Sequence, residues 1–441
     1  MIRRWIFAPV GMVALCLGTA TNAEVATLPE GFEGRYIAAI SDGDMRAYAY
    51  IDGELGAPRG ADQLTVVPIT RAETSPRAIE VSNSVINPVY SIDASPDGNT
   101  IFVAETRLPR DEDDAMLWDL GIGTTLRAIS VGEDGTLTLI DEIEVGTEPQ
   151  GVSVSPDGRT LVLATKTPET PLSFVSFEND QFGALTQFAL EGLTPIPELL
   201  DQGMFPHHAE WHPTEDVVAL TFNFRGQVRF YQVERNANGA VTGISQWGNA
   251  VQTSKWPMSG KFSADGRFFV SNDLQWGADV AGFYLNAPPS QLTSIRLAAL
   301  DAEEPQHIVV GGVSLPRHAE SIAFSNAGDL IGTVNIGQTW NEPDAVGYSL
   351  SSLSLVGFDV ETGQFDHYGD WTFDAILPEG IDFDASDDFV VVGAYEYEGP
   401  EPRESALEIW EVIRTDGGPG LADTGMRIPT GPGAHSLIVV D

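Results

Sequence analysis

Two related strings in this chain have the residue types for acid–base chemistry. Pro206-His207-His208-Ala209-Glu210 and Arg317-His318-Ala319-Glu320 each place an imidazole two residues before a carboxylate. In an extended strand, residues i and i+2 lie on one face, so His208 and Glu210 are expected side by side. Hydrolysis at a carbonyl needs a base to activate water and positive charge or donors for the carbonyl oxygen. His208 is the expected general base, with Glu210 fixing its tautomer and raising its pKa. Arg317, His318 or Lys261 would hold the oxyanion or a substrate carboxylate. The structural alternative is that these histidines, with His435, hydrogen-bond across a channel and rigidify it.

The element that must position them is a repeat. Val145–Thr165 contains a proline, an alternating strand, the turn Ser155-Pro156-Asp157-Gly158, and a second apolar strand. Asp-Gly between two such runs signals a hairpin, because Gly takes positive φ without steric cost. Copies start at Pro88, Pro149, Pro206, Pro257, Pro316, Pro378 and Pro432, so the repeat recurs every 51–62 residues. Two further strand-like runs follow most hairpins. Four strands in each of seven repeats describe an all-β, seven-bladed β-propeller. The last copy, from Pro432, is clipped. Its missing strands are expected from the N-terminus, with Gly34–Asp42 as the second strand, Arg46–Ile51 as the third and Leu64–Ile69 as the fourth. One C-terminal and three N-terminal strands would then seal the ring and remove its exposed edges.

Aligning the copies on their turns gives a ring at the start of the innermost strands, reading Tyr90, Gln150, His207, Met258, Glu320, Glu379 and His435. Farther along lie Asp93, Ser153, Glu210, Lys261, Ala323 and Asp382. The second strands end at Glu105, Lys166, Asn223, Asn272, Asp273, Asn335 and Tyr395. In a propeller both sets belong to one face, the top, and the long insertions 105–125, 271–294, 335–354 and 395–405 crowd that face as well. A small-molecule ligand is therefore expected there. Its candidate contacts are Tyr90, Arg107, Gln150, Lys166, His207, Asn223, Lys261, Asn272, Glu320, Glu379 and His435. All three lysines map to the top or the channel of an otherwise acidic chain. No cofactor is required by the sequence; were calcium bound, Glu105, Asn223 and Asp273 are the expected ligands. His212 replaces a turn serine and reads as structural. Trp276 and Trp340, on top loops, either stack on a ligand or clamp the loops together.

Composition narrows the partners. The 441 residues carry a net charge of −41, which excludes nucleic acid and anionic membrane as partners because both require a basic footprint. Scarce lysine with surplus acid suggests a saline habitat. Residues 1–23 have a charged start, a short apolar run and a Thr21-x-Ala23 end, the pattern of a cleaved secretory signal peptide. Residues 24–441 are then one propeller domain, periplasmic or secreted. The single cysteine, Cys16, falls in the leader, so the mature protein is expected to lack disulfides. No GxSxG, Walker loop, HExxH or CxxC motif occurs.

The segments TEPQGVSVSPDGRTLVLATK, GQVRFYQVERNANGAVTG and PMSGKFSADGRFFVSND resemble the seven-bladed lactonase-like propellers, the family of 6-phosphogluconolactonase and the carboxymuconate-cyclising enzyme. PHHAEWHP resembles that family's Pro-x-His-x-x-x-His-Pro segment and places His208 and His212 on it. The resemblance covers nearly the whole mature chain and implies a hydrolase that opens a small lactone at the top of the channel. Export argues against a phosphorylated cytosolic sugar lactone as substrate. Two other functions suit the same fold. One is a non-catalytic periplasmic propeller that binds a ligand or protein on its top loops. The other is the propeller subunit of a periplasmic redox enzyme.

Overall fold

The computed structural model describes residues 28–69, 75–86, 90–193, 202–277, 286–341 and 343–441, so the expected leader at 1–23 lies outside the described residues. Its strands form seven small antiparallel sheets, each ordered from an innermost to an outermost strand. Blade 1 comprises Ile92–Ala94, Thr100–Ala104, Thr125–Val131 and Leu137–Glu144. Blade 2 comprises Ser153–Val154, Thr160–Ala164, Leu172–Glu178 and Gln181–Phe188. Blade 3 comprises His208–Trp211, Val217–Phe222, Gln227–Arg235 and Val241–Gln246, with Val251–Gln252 paired beside it. Blades 4, 5 and 6 begin at Pro257–Phe262, Ala319–Phe324 and Ala375–Phe383, and the last ends at Gly418–Pro429.

Blade 7 closes the ring. Its innermost strand is the C-terminal Ala434–Val440, paired antiparallel with the N-terminal Tyr36–Ser41. Gln63–Pro68 and Arg77–Glu80 complete it. The expected mixed closure is present, with one correction in register. Residues 46–51 are not the third strand; Ala49–Asp52 is a helical turn inside the loop, and the third and fourth strands come one step later. Arg46-Ala-Tyr-Ala-Tyr-Ile51 alternates like a strand, but Ala47, Tyr48, Ala49 and Tyr50 pack instead into the apolar layer of the top loops, and Ile51 stays exposed. Periodicity alone cannot separate the two outcomes over six residues.

Burial explains which strands form. The second strands, such as TIFVA in blade 1 and TLVLA in blade 2, are buried at every position because both faces meet a neighbouring blade. The outermost strands, such as Leu137–Glu144, alternate between half-buried and exposed. Seven apolar clusters fill the seven clefts between adjacent blades. Val152, Phe262, Phe324 and Phe383 pack in these clefts as their alternation implies.

The Ser-x-Asp-Gly turn has a hydrogen-bonding cause. The Ser95 hydroxyl donates to Asp97 Oδ1 at 2.6 Å and accepts from Thr100 N–H at 3.0 Å, while Gly98 adopts φ 65°. The hydroxyl's hydrogen bond holds the Asp97 carboxyl below its ordinary pKa. Ser155 and Ser263 repeat the arrangement. In blade 3, His212 takes the serine's place, its Nδ1 accepting from Thr214 and Glu215 N–H. Deleting residues 434–441 removes the strand against which Tyr36–Ser41 pairs and uncovers two blade faces. The truncated chain is expected to aggregate or lose cooperative unfolding, read by size-exclusion chromatography and thermal melting; a monomeric, cooperatively melting product would contradict this account of closure.

Candidate functional site

One lysine organises the channel. Lys261, on the innermost strand of blade 4, donates from Nζ to Glu210 Oε1 at 2.9 Å and lies 4.5 Å from the centre of the Tyr90 ring. Glu210 comes from blade 3. Tyr90, at the entrance to blade 1, crosses to blade 5, where its hydroxyl donates to Ile322 C=O at 2.8 Å and accepts from Ile322 N–H at 3.0 Å. His208 packs on Tyr90 with ring centres 5.0 Å apart, and its Nε2 lies 3.6 Å from Glu210 Oε2. Four residues from three blades are thereby in contact, and the i, i+2 spacing puts His208 and Glu210 on one face as expected.

Electrostatics differ from the expectation for His208. Burial, then the nearby Lys261 charge, then His207, hold its imidazole well below the ordinary value, so it is neutral. The nearby Glu210 does not offset these effects. Neither ring nitrogen of His208 has a hydrogen-bond partner among the described residues, nor does Glu210 Oε2. Burial outweighs the lysine and pushes the Glu210 carboxyl up to about 6. Lys261 is raised above its ordinary value despite burial, chiefly by Glu210, and stays charged.

A cavity of about 400 Å³ meets this cluster in the half of the channel toward the hairpin turns, lined by Tyr90, Asp93, Lys261, Asp382 and Asp441 among others. The Lys261 side chain is 32% exposed, against 2% for His208. Asp93 and Asp382 had appeared in the repeat only as polar positions. Each accepts a backbone N–H from the next blade, Val154 at 2.7 Å and Val439 at 2.8 Å respectively. Burial pushes the Asp382 carboxyl up to about 7.

The other candidates form separate groups. Arg107, Gln150 and Lys166 gather on Glu148, a residue the repeat did not single out. Arg107 reaches its Oε1 at 3.2 Å, Lys166 donates to the same oxygen, and Gln150 donates to its carbonyl at 3.0 Å. Asn272 is a clasp between blades, accepting from Ser259 and donating to the carbonyls of Ala319 and Glu320. His207 Nδ1 lies 3.1 Å from Met258 C=O, and His435 Nε2 lies 2.7 Å from Asn83 Oδ1. Asn223 accepts from Phe224 N–H. Glu105 pairs with Arg127 at 3.0 Å, while Asp273 accepts from Ser254, Ser271 and Thr293. Those last three, the expected calcium ligands, sit on blades 4, 3 and 1 with different neighbours.

His318 is buried between two tryptophans, with the Gln338 amide 3.3 Å from its Nε2. Its Nδ1 accepts from the Trp276 indole at 2.8 Å, and Trp340 packs 4.8 Å from its ring. Both tryptophans are buried with top-loop residues of several blades, so they clamp loops together. Arg317, next to it, is half-buried. Backbone strain collects where the chain enters the innermost strands, with φ of 48° at Glu148, 57° at Trp256, 59° at His318 and 50° at Leu377. Such residues cost roughly 1–3 kcal/mol each and persist only where surrounding contacts over-determine them.

Glu320 and Glu379 form a buried pair on adjacent blades. Burial pushes Glu320 up to about 8; burial, then Glu320, then Asp42, hold Glu379 well above the carboxylate range. A carboxyl raised in the folded state contributes stability that is lost as pH climbs through its folded pKa. His207 and His435, both lowered to about 3 by burial, are neutral in folded and unfolded chains above their ordinary 6.5. Between pH 6.5 and 8.5 the carboxyls therefore dominate this group, and the melting midpoint is expected to fall as pH rises. Glu320→Gln should raise the midpoint at pH 8 and flatten the slope; a profile that rises, or a variant that leaves it unchanged, would refute the assignment.

Compared with known proteins, the chain matches no family model and no curated sequence. Solved structures match it along nearly their full length. A protein of Bacteroides uniformis provisionally assigned as a 6-phosphogluconolactonase aligns at 14% identity over 92% of this chain and 100% of its own, with a TM-score of 0.60. Its counterpart from Bacteroides fragilis gives 16%, 92%, 98% and 0.61. The periplasmic gluconolactonase of Pseudomonas aeruginosa gives 16%, 92%, 99% and 0.59. This chain shares the propeller fold of those lactonase-like proteins.

Proposed function

We propose that this protein is a lactonase-like hydrolase that opens a small lactone in the channel cavity beside Lys261. The observation that carries the proposal is a charged lysine on the wall of a cavity of about 400 Å³, held by a buried glutamate whose second oxygen has no partner among the described residues. Such a volume accommodates a single sugar or small aromatic lactone. Lys261 is the group against which the lactone carbonyl oxygen settles as it gains negative charge. Glu210, raised to about 6, is ionised at neutral pH and basic enough to take a proton from the attacking water. Return of that proton to the ring oxygen completes opening to the hydroxy acid. His208, neutral and with neither ring nitrogen partnered among the described residues, packs on Tyr90 behind this pair and does not act as the expected base. The fold likeness to lactonase-like propellers supports the reaction class, and the leader-like sequence at 1–23 supports an exported enzyme acting on an unphosphorylated lactone.

A panel of sugar and aromatic lactones, assayed by acid release, tests the proposal. Lys261→Met is expected to lower kcat about 10²–10³-fold, the usual cost of losing one oxyanion group. Glu210→Gln should lower it about 10²–10⁴-fold, with the acidic limb near pH 6 abolished. Wild-type rates in folded Lys261→Met would remove the site. A second reading, a binding propeller, is favoured by one feature of the top loops. Ile51, Leu108, Met116, Trp118 and Ile122 are exposed apolar residues of these loops, with Trp118 66% exposed. A wild-type protein inactive on the whole panel would move the balance to that reading.

A further inference from the structure

We propose that Asp42, Asp44 and Asp62 form a calcium site at the seam of the ring. Strand pairing builds it. Asp42 follows Tyr36–Ser41 and Asp62 precedes Gln63–Pro68, and Ser41 pairs directly with Gln63, so the two carboxylates face each other at the end of a ladder. Asp44 is brought back to them by its own N–H, which donates to Asp42 Oδ1 at 2.8 Å. One oxygen from each residue lies within 4.8 Å of the others, and all three residues are buried.

The carboxylates are only partly satisfied. Asp62 accepts from Gly43 and Asn83 N–H, and Asp42 accepts from Val85 N–H and the Ser84 hydroxyl. Asp44, 6% exposed, accepts from Arg110 N–H through Oδ1, while its buried Oδ2 has no partner among the described residues. None of the three makes an ion pair there. The neighbouring cations contact other groups or the backbone: Arg59 pairs with Glu396 at 2.7 Å, and the Arg110 guanidinium donates to the carbonyls of Gly56 and Asp114 and, at 3.4 Å, to the carbonyl rather than the carboxylate of Asp44. Burying like charges without a counter-ion is costly. A cavity of about 580 Å³ reaches Asp44 and Asp62 from outside and offers a route in.

The donors are all oxygen, which selects a hard cation over zinc or copper. Calcium holds oxygens at ~2.3–2.6 Å in a flexible shell, so opposite ligands stand ~5 Å apart, and its geometry is less exacting than the tight octahedron magnesium requires. The ion would pin the N-terminal strand of blade 7 to Arg110 of blade 1 and, through Asn83, to His435 of the C-terminal strand. It would brace the one blade made from both chain ends.

The test uses full-length protein stripped with a chelator and then desalted. Titration with Ca²⁺ by calorimetry is expected to show one tight site per chain, and 1 mM Ca²⁺ should raise the melting midpoint by at least about 3 °C. Mg²⁺ at the same concentration should do markedly less. Asp44→Asn, nearly isosteric, should weaken the tight site at least tenfold without lowering the midpoint in chelator. Calcium taken up equally by wild type and Asp44→Asn reflects condensation on the acidic surface and overturns the proposal, as does a wild type that binds none at 1 mM. An equal Mg²⁺ response overturns the assignment to calcium. Because the wild-type titration stands alone, a variant that fails to fold does not spare the proposal.

Discussion

Each blade of this protein is too thin to bury its own apolar surface. A four-stranded sheet offers two faces, and the second strands here are apolar on both, so every sheet depends on a neighbour on each side. Only a closed ring satisfies all seven at once. The structure therefore rests on the pairing of Ala434–Val440 with Tyr36–Ser41, which joins residues from opposite ends of the chain. That link is also the most demanding entropically, since the loop it closes is nearly the whole protein.

Ring closure has a consequence for polar groups. Seven innermost strands converge on one axis, and their inward side chains must be satisfied by one another across the blades. The i+2 position shows how. Asp93, Ser153 and Asp382 each accept a backbone N–H from the following strand, whereas Glu210 takes the ammonium of Lys261 instead. Chemistry concentrates where this scaffold pattern is broken. The Glu210–Lys261 pair occupies positions that elsewhere serve only to fasten one blade to the next. Truncating one partner of such a pair leaves a buried, uncompensated charge, at a cost of about 3–5 kcal/mol.

The top loops illustrate the opposite balance. Their length marked them as a binding surface, yet Met45, Leu117, Trp276, Trp340 and Leu377 come from five blades and pack into one buried layer. The cavity beside Lys261 lies toward the turns. Long insertions on one face were thus spent partly on apolar packing, which the sequence could not separate from ligand contact because tryptophan serves both.

The architecture is legible along the chain: seven copies of one hairpin, a clipped last copy and a matching N-terminal strand specify a propeller and its mode of closure. The sequence also placed His208 beside Glu210, because strand periodicity is local. The short run at 46–51 escaped it, since six alternating residues suit a strand or a packed turn equally well. Which distant residues meet is settled by the folded ring alone. Lys261 pairs with Glu210, while burial and then the Lys261 charge hold His208 neutral; Glu148 collects Arg107 and Lys166; Asp42, Asp44 and Asp62 converge across a ladder. Those outcomes depend on how neighbouring blades meet and on burial inside the closed ring, and neither is written in the spacing of residues along one strand.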